Sequence, residues 1–191
     1  AGADTIDGGD GADTITGGTG ADNLTGGSGA DTFVLAAIAE SAGANTDTIT
    51  DFSTTAGDVI TVTITAAMVE AAFVDTAATA TQYNFAATDL GDVANLAEAN
   101  ALLGGNIGES VFITDLAQVV VDANGDGTIN NNDIRINLTG ATGYDNASIA
   151  YTLTADNDTA RTYTLGDSAD TFVGGGVADT VYGLAGNDSI T

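Results

Sequence analysis

Residues 8–34 say one nine-residue phrase three times without a gap: Gly8-Gly9-Asp10-Gly11-Ala12-Asp13-Thr14-Ile15-Thr16, then residues 17–25 and 26–34 in the same register, preceded by a truncated copy at residues 1–7. Glycine holds the first, second and fourth positions, aspartate the sixth, and a large apolar residue the eighth. Glycine adopts positive φ and lets main chains approach closely, so each G-G-x-G-x-D stretch reads as a tight turn with its carbonyls pointing inward. The short β-branched or apolar stretch that follows, bounded by glycine, reads as a strand. Turn and strand alternate, so two nonapeptides complete one coil of a right-handed parallel roll. Residues one coil apart then stack: Asp4 on Asp22, Asp13 on Asp31, Ile6 on Leu24 in one sheet, and Ile15 on Phe33 in the other. Stacked carboxylates repel one another unless a cation lies between them. A hard divalent ion that accepts many oxygens in irregular geometry suits such turns, which means calcium rather than magnesium.

The phrase resembles the calcium-binding nonapeptide of the RTX (repeats-in-toxin) family. That resemblance implies a β-roll and Ca2+ held by Asp4, Asp13, Asp22 and Asp31. It also implies ligation by the turns of Gly8, Gly9, Gly11, Gly17, Gly18, Gly20, Gly26 and Gly27. A phosphate-cradling reading of the same glycines fails, because each loop carries aspartate where a phosphate loop needs lysine.

Charge points the same way. The 191 residues hold 27 acidic and two basic side chains, a formal net charge of -25. Such a balance argues against nucleic acid and anionic lipid as partners and for bound cations. The apolar fraction, 43%, is too high for a disordered acidic tail, so a core forms once the charge is neutralised. Cysteine and histidine are both absent, which removes zinc sites, thiol catalysis and histidine triads. Calcium would then do for an extracellular chain what disulfides usually do. No apolar run is long enough to span a membrane, so no membrane insertion is expected.

Beyond the repeats, Asp47-Thr48-Ile49-Thr50-Asp51-Phe52 and Gly57-Asp58-Val59-Ile60-Thr61-Val62 read as strands. They resemble segments that follow the repeats in type I secreted RTX proteins, which makes Asp47 and Asp51 candidates to complete the last calcium site. A short helix is expected over residues 66–73 and a strand over 79–86. A longer helix is expected over 92–103, with Asp92 as N-cap and a closing Gly104-Gly105. Strands follow at 110–116 and 118–121. Residues 122–133, Asp-Ala-Asn-Gly-Asp-Gly-Thr-Ile-Asn-Asn-Asn-Asp, match the start of an EF-hand loop, with Asp in place of the twelfth-position Glu. The spacing sets Asp122, Asn124 and Asp126 around one ion, with the Thr128 carbonyl and Asp133 closing the shell. Its flanks are strands, so it resembles a calcium hairpin of RTX secretion domains and of surface-layer C-termini. A plain polar turn remains the other reading, since Asn-Gly and Asp-Gly pairs alone make turns. Two more alternating strands, 148–154 and 161–165, lead into three further nonapeptides, degenerate in glycine but regular in Asp170, Asp179 and Asp188. These extend the metal-ligand candidates to the closing repeats.

The expected architecture is therefore mainly β: an RTX β-roll at 1–45, a β-rich central domain with one or two short helices and the hairpin loop at 46–164, and a second roll segment at 165–191. The expected function is that of a non-enzymatic, calcium-binding structural protein, secreted to the extracellular side or cell surface of a bacterium. It would serve as a surface-layer, adhesin or filament component, with itself and cell-surface polysaccharide as partners. The alternative is the export and folding module of a type I secreted hydrolase, protease or toxin. Such a module should close on a non-repeat secretion signal, whereas Thr191 falls at the last position of a repeat and Ala1 at the third, so head-to-tail association through shared ions is expected.

Overall fold

A computed structural model describes residues 1–65, 85–86, 89–104, 106–123, 125–141, 144, 149–155 and 162–191. The expected helix at 66–73, the first part of the strand expected at 79–86, Asn124, Ser148, Arg161 and the loop at 156–160 lie outside the described residues.

The first repeats fold as their period dictates. Strand β1 (Thr5–Asp10) and strand β2 (Thr14–Ile15) form one coil, and β3 (Asn23–Ser28) and β4 (Thr32–Leu35) the next. The coils stack in parallel with Ile6 opposite Leu24 and Ile15 opposite Phe33. The roll then continues beyond the glycine repeats. Strand β5 (Asp47–Ile49) sets Ile49 against Leu24, and β6 (Val59–Ile64) sets Ile60 against Phe33.

Past the residues not described come β7 (Phe85–Ala86), β8 (Asp89–Val93), helix α1 (Leu96–Leu102), β9 (Ser110–Ile113), β10 (Gln118–Val121) and β11 (Ile134–Leu138). The chain then returns to the roll through β12 (Ile149–Thr154), β13 (Thr162–Thr164), β14 (Thr171–Val173), β15 (Thr180–Tyr182) and β16 (Ser189–Ile190). Among the described residues the strands form three sheets, in the orders β1-β3-β5-β11-β10-β9-β8, β16-β14-β12-β6-β4-β2 and β15-β13-β7.

Every pairing in the six-stranded sheet is parallel. Its centre is the pairing of β6 with β12, Ile60 opposite Ile149. The opening and closing repeats are thus the two ends of one sheet. The divisions expected at 45/46 and 164/165 mark where glycine repeats stop, but hydrogen bonding runs through both: β3 to β5 and β4 to β6 at the first, β12 to β14 and β13 to β15 at the second.

Inward columns of apolar side chains follow from the registers. Ile15, Phe33, Ile60 and Ile149 make one, and Ile64, Leu153 and Phe172 another, all buried in one continuous core. Phe52 fills the space beside Phe33, ring centroids 6.3 Å apart. Each such side chain contributes roughly 1.5–3 kcal/mol by leaving water.

The antiparallel part of the seven-stranded sheet is covered on both faces, which explains the unbroken Val119-Val120-Val121 run. Val119 and Val121 join the main core, while Val120 joins Val93, Ala99, Leu103, Val111, Ile113 and Ile129 beneath α1. The expected helix at 92–103 is shorter than its sequence pattern. Asp92 and Val93 finish β8, paired with Phe112 and Ile113, and the N-cap is Asn95. Its Oδ1 accepts from the N–H groups of Ala97 and Glu98 at 3.0 and 3.2 Å, while Glu98 reaches back to the Ala94 N–H at 3.0 Å. This reciprocal N-x-x-E capping overrides Asp92 as a start signal. The strand expected at 110–116 is also shorter, ending at Ile113 and turning through a 3-10 segment, Thr114–Leu116.

Candidate calcium sites

Each turn of the first roll is built around its glycines. Gly27 and Gly29 have φ of +99° and +138°, and a Cβ on either would strike the carbonyl of Gly9 or Gly11 one coil below. The first glycine of each repeat has a different task. A Cβ on Gly8 would lie 2.7 Å from the Gly26 carbonyl oxygen and 2.9 Å from Asp13 Oδ2, and the same space at Gly17 and Gly26 is taken by the carboxylates of Asp22 and Asp31. Each aspartate therefore folds back over its own turn into the space that the first glycine leaves open.

The aspartates form two columns joined by main-chain hydrogen bonds. Asp4 N–H donates to Asp22 Oδ1 at 2.7 Å, and Asp22 N–H to Asp47 Oδ1 at 2.9 Å. On the other side Asp13 N–H donates to Asp31 Oδ1 at 2.9 Å, and Asp31 N–H to Asp58 Oδ1 at 3.0 Å. Asp22, Asp31, Asp47 and Asp58 are buried, whereas Asp4 at the outer coil is half exposed. The second oxygen, Oδ2, of Asp13, Asp22, Asp31 and Asp47 is sealed from water and meets no donor. A buried carboxylate oxygen without a partner is strongly unfavourable, so these four atoms mark where positive charge belongs. Burial, opposed in part by the Asp22 N–H and reinforced by the Asp22 charge, raises the Asp47 pKa to about 6.

These residues fit calcium. All donors are hard oxygens, and among the described residues no three acidic side chains converge. Each ion would thus rest on one or two carboxylates supplemented by turn carbonyls, the mixed oxygen shell that calcium accepts.

The remaining candidates differ in what holds them. Asp51 accepts from the Gly26 and Gly27 N–H groups at 2.9 and 2.8 Å, clamping the third repeat's turn. Asp58, which sequence reasoning passed over, accepts from Asp31 and Ser53 N–H groups. Its signal was present: Asp58-Val59-Ile60 repeats the D-x-U spacing of Asp13-Thr14-Ile15.

In the closing repeats Asp170 N–H donates to Asp188 Oδ1 at 3.1 Å, continuing the ladder, and a Cβ on Gly183 would meet Asp188 Oδ2 at 2.6 Å. Asp170 is buried, with both oxygens engaged by the Tyr151 and Gly166 N–H groups, and burial lifts its pKa to about 6. Asp179 is partly buried just ahead of β15, in the other sheet.

The loop at 122–133 closes the hairpin of β10 and β11, with Val121 paired to Ile134. Asp122 and Asp133 are fully buried at its base. Asp122 accepts from Gly125 and Gly127 N–H groups, Asp133 from Ala123 and Asn130, and Asp126 from the Thr128 N–H and the Asn130 side chain. The Thr128 carbonyl accepts from Asn130 Nδ2 at 2.8 Å. The loop thus satisfies the oxygens of Asp122, Asp126 and Asp133 from its own amides. Burial raises the Asp122 pKa and pushes Asp133 to about 7.

A parallel roll with turns of stacked aspartates in glycine hollows defines a calcium-binding repeat protein. The family model of the RTX calcium-binding nonapeptide repeat (four copies) matches residues 1–33 and 164–191. The chain therefore carries RTX repeats at both ends, and Ca2+ is the ion these repeats bind. Proteins with such repeats are typically secreted by bacteria, and among the described residues no helix is long and apolar enough to cross a membrane. No curated protein matches the chain.

Proposed function

We propose that the chain is a non-enzymatic structural segment of a bacterial surface-layer, adhesin or extracellular filament protein, folding on calcium and associating end to end with further copies. The observation that carries this reading is the single six-stranded parallel sheet with repeats at both ends. The calcium-binding repeats here belong to one continuous stack instead of to an appendage on a separate body.

The stack also has a direction, because the main-chain N–H of one coil donates to the carboxylate of the next, from Asp4 through Asp22 to Asp47 and again from Asp170 to Asp188. Each coil thus offers a carboxylate on one side and a main-chain amide on the other. The apolar columns open at the carboxy-terminal coil, where Tyr182, Leu184 and Ile190 are exposed. The two sides of such a coil complement each other, and a heterologous contact of this kind between copies grows into filaments or sheets. Light scattering and negative-stain microscopy across calcium concentrations test it: particles should lengthen with calcium and protein concentration. A strictly monomeric particle at saturating calcium and high protein concentration overturns the assembly reading and favours an export and folding module.

A further inference from the structure

In one carboxylate ladder of the first roll each aspartate N–H donates to the carboxylate one coil on, from Asp4 to Asp22 and from Asp22 to Asp47. At Asp47 the ladder changes acceptor. Its N–H donates to the Ser41 hydroxyl oxygen at 2.9 Å, and that hydroxyl donates to the Arg135 carbonyl in β11. The Ser41 carbonyl accepts from the Arg135 N–H at 2.8 Å, so this fully buried serine is fastened to β11 by side chain and main chain alike.

Ser41 belongs to residues 36–46, which join β4 to β5 without the glycine phrase. Two 3-10 segments, Ile38–Glu40 and Gly43–Asn45, shape this connection. It faces the loop at 122–133: a Cβ on Gly43, whose φ is +59°, would lie 3.3 Å from Asn131 Cγ. Arg135 carries the contact further into that loop. It is one of two basic side chains in the chain, and its Nη2 donates to the Asn130 carbonyl at 3.0 Å. The Asn130 N–H in turn donates to Asp133 Oδ2 at 2.7 Å, and its side-chain amide to Asp126 Oδ2 and the Thr128 carbonyl. A run of hydrogen bonds therefore leads from the carboxylates of the roll, through Ser41 and Arg135, to those of the loop.

We propose that Ser41 is a positioning residue that ends this ladder and couples calcium held by the first roll to the loop at 122–133. Without an ion, the partnerless oxygens of the ladder work against the stacking of its coils. Bound calcium removes that penalty and steadies the Asp47 N–H on Ser41, which fixes Arg135 and through it Asn130. Coupling free energy is reciprocal, so a loop held firmly by Arg135 tightens the calcium of the roll by the same factor.

This inference rests on the calcium reading of the repeats, and its test separates the two. Calcium titrations of the full chain by calorimetry compare the unsubstituted protein, Ser41→Ala, Arg135→Leu and the double variant. Arg135→Leu leaves the main-chain bonds to Ser41 in place and removes the guanidinium bond to the Asn130 carbonyl. It also makes an acidic chain more negative, which by charge alone tightens calcium. Coupling predicts the opposite sign. The calcium midpoint should rise about fivefold or more in each single variant, and the double variant should be no weaker than the weaker single one. An unchanged midpoint in Ser41→Ala, an unchanged or lowered one in Arg135→Leu, or shifts that multiply in the double variant overturns the coupling while leaving the repeats their calcium. An unsubstituted chain that binds no calcium sinks the underlying reading instead. Should Ser41→Ala fail to fold, Arg135→Leu decides through hydrogen exchange at saturating calcium. The Asp47 N–H should then exchange about fivefold faster or more, and an unchanged rate overturns the coupling.

Discussion

Asp31→Asn and Asp58→Asn separate a carboxylate that serves an ion from one that serves the main chain. Both residues are buried, Asp31 1% and Asp58 5% exposed, in adjacent coils of one column. Asparagine at 31 keeps Oδ1 as acceptor for the Asp13 N–H and alters only Oδ2, which has no protein partner. Asparagine at 58 keeps the bond from Asp31 but turns an amide donor toward the Ser53 N–H, which donates to Asp58 Oδ2 at 2.8 Å. Each ion taken up on folding adds about 1.4 kcal/mol of stability per tenfold rise in calcium. Asp31→Asn should lower that slope by one such increment. Asp58→Asn should lower stability by about 1–3 kcal/mol at every calcium concentration, with the slope unchanged, because a partly buried donor loses its acceptor. Urea unfolding followed by circular dichroism over a series of buffered calcium concentrations gives both slopes. Parallel lines for Asp31→Asn and the unsubstituted chain would refute the assignment of its open oxygen to an ion.

The acids lifted by burial make the metal-free fold pH-dependent. Asp47 and Asp170 at about 6 and Asp133 at about 7 lie above their unfolded value of 3.8, so the fold binds protons more tightly than the unfolded chain does. In chelator, strand content at fixed urea should be greatest near pH 4 and fall as pH rises through about 6 to 7, with each of Asp47 and Asp170 worth about 3 kcal/mol across its window. With calcium present the trend should reverse, because protons compete for the same oxygens. Apolar position along the roll should matter as much as residue type: Phe33→Ala, in a sealed column, should cost about 3–5 kcal/mol. Ile190→Ala, at a residue 53% exposed in the last coil, should cost under about 1 kcal/mol, and equal losses from the two in thermal melts would contradict the column assignment.

The sequence revealed the roll because its period is covalent: position six is always aspartate and position eight always apolar, so coil register follows from counting. Asp47 was singled out through the resemblance of its segment to those that follow such repeats, and it shares its D-x-U spacing with Asp58. What separates Asp47 from Asp51 is not spacing but donors. The Gly26 and Gly27 amides reach Asp51 only after the turns stack. The pairing of Ile60 with Ile149 had no local signal, since parallel strands so distant in the chain meet only through the intervening fold. The start of α1 was misplaced because Asp92 and Asn95 are both N-cap residues, and the partner in β9 decides between them by claiming Val93 for a sheet.

These long-range pairings change what the glycine repeats are for. In a roll each coil touches only its neighbours, so an outer coil is as firm as the coil beneath it. Along one column burial deepens inward, from the exposed Asp4 to Asp22 at 2% and Asp47 at 1%. The hydrophobic column deepens with it, from the partly buried Ile6 to Leu24 and Ile49 at 2% and 1%. An ion at an exposed carboxylate competes with water, whereas one at a sealed carboxylate replaces an uncompensated charge and is held more firmly. Calcium-linked stability should therefore be greatest at the sealed carboxylates, where the repeats meet β5 and β6, and β6 in turn rests on β12. The central segment supplies the buried coils on which both sets of repeats stack, and the repeats extend that stack outward one coil at a time.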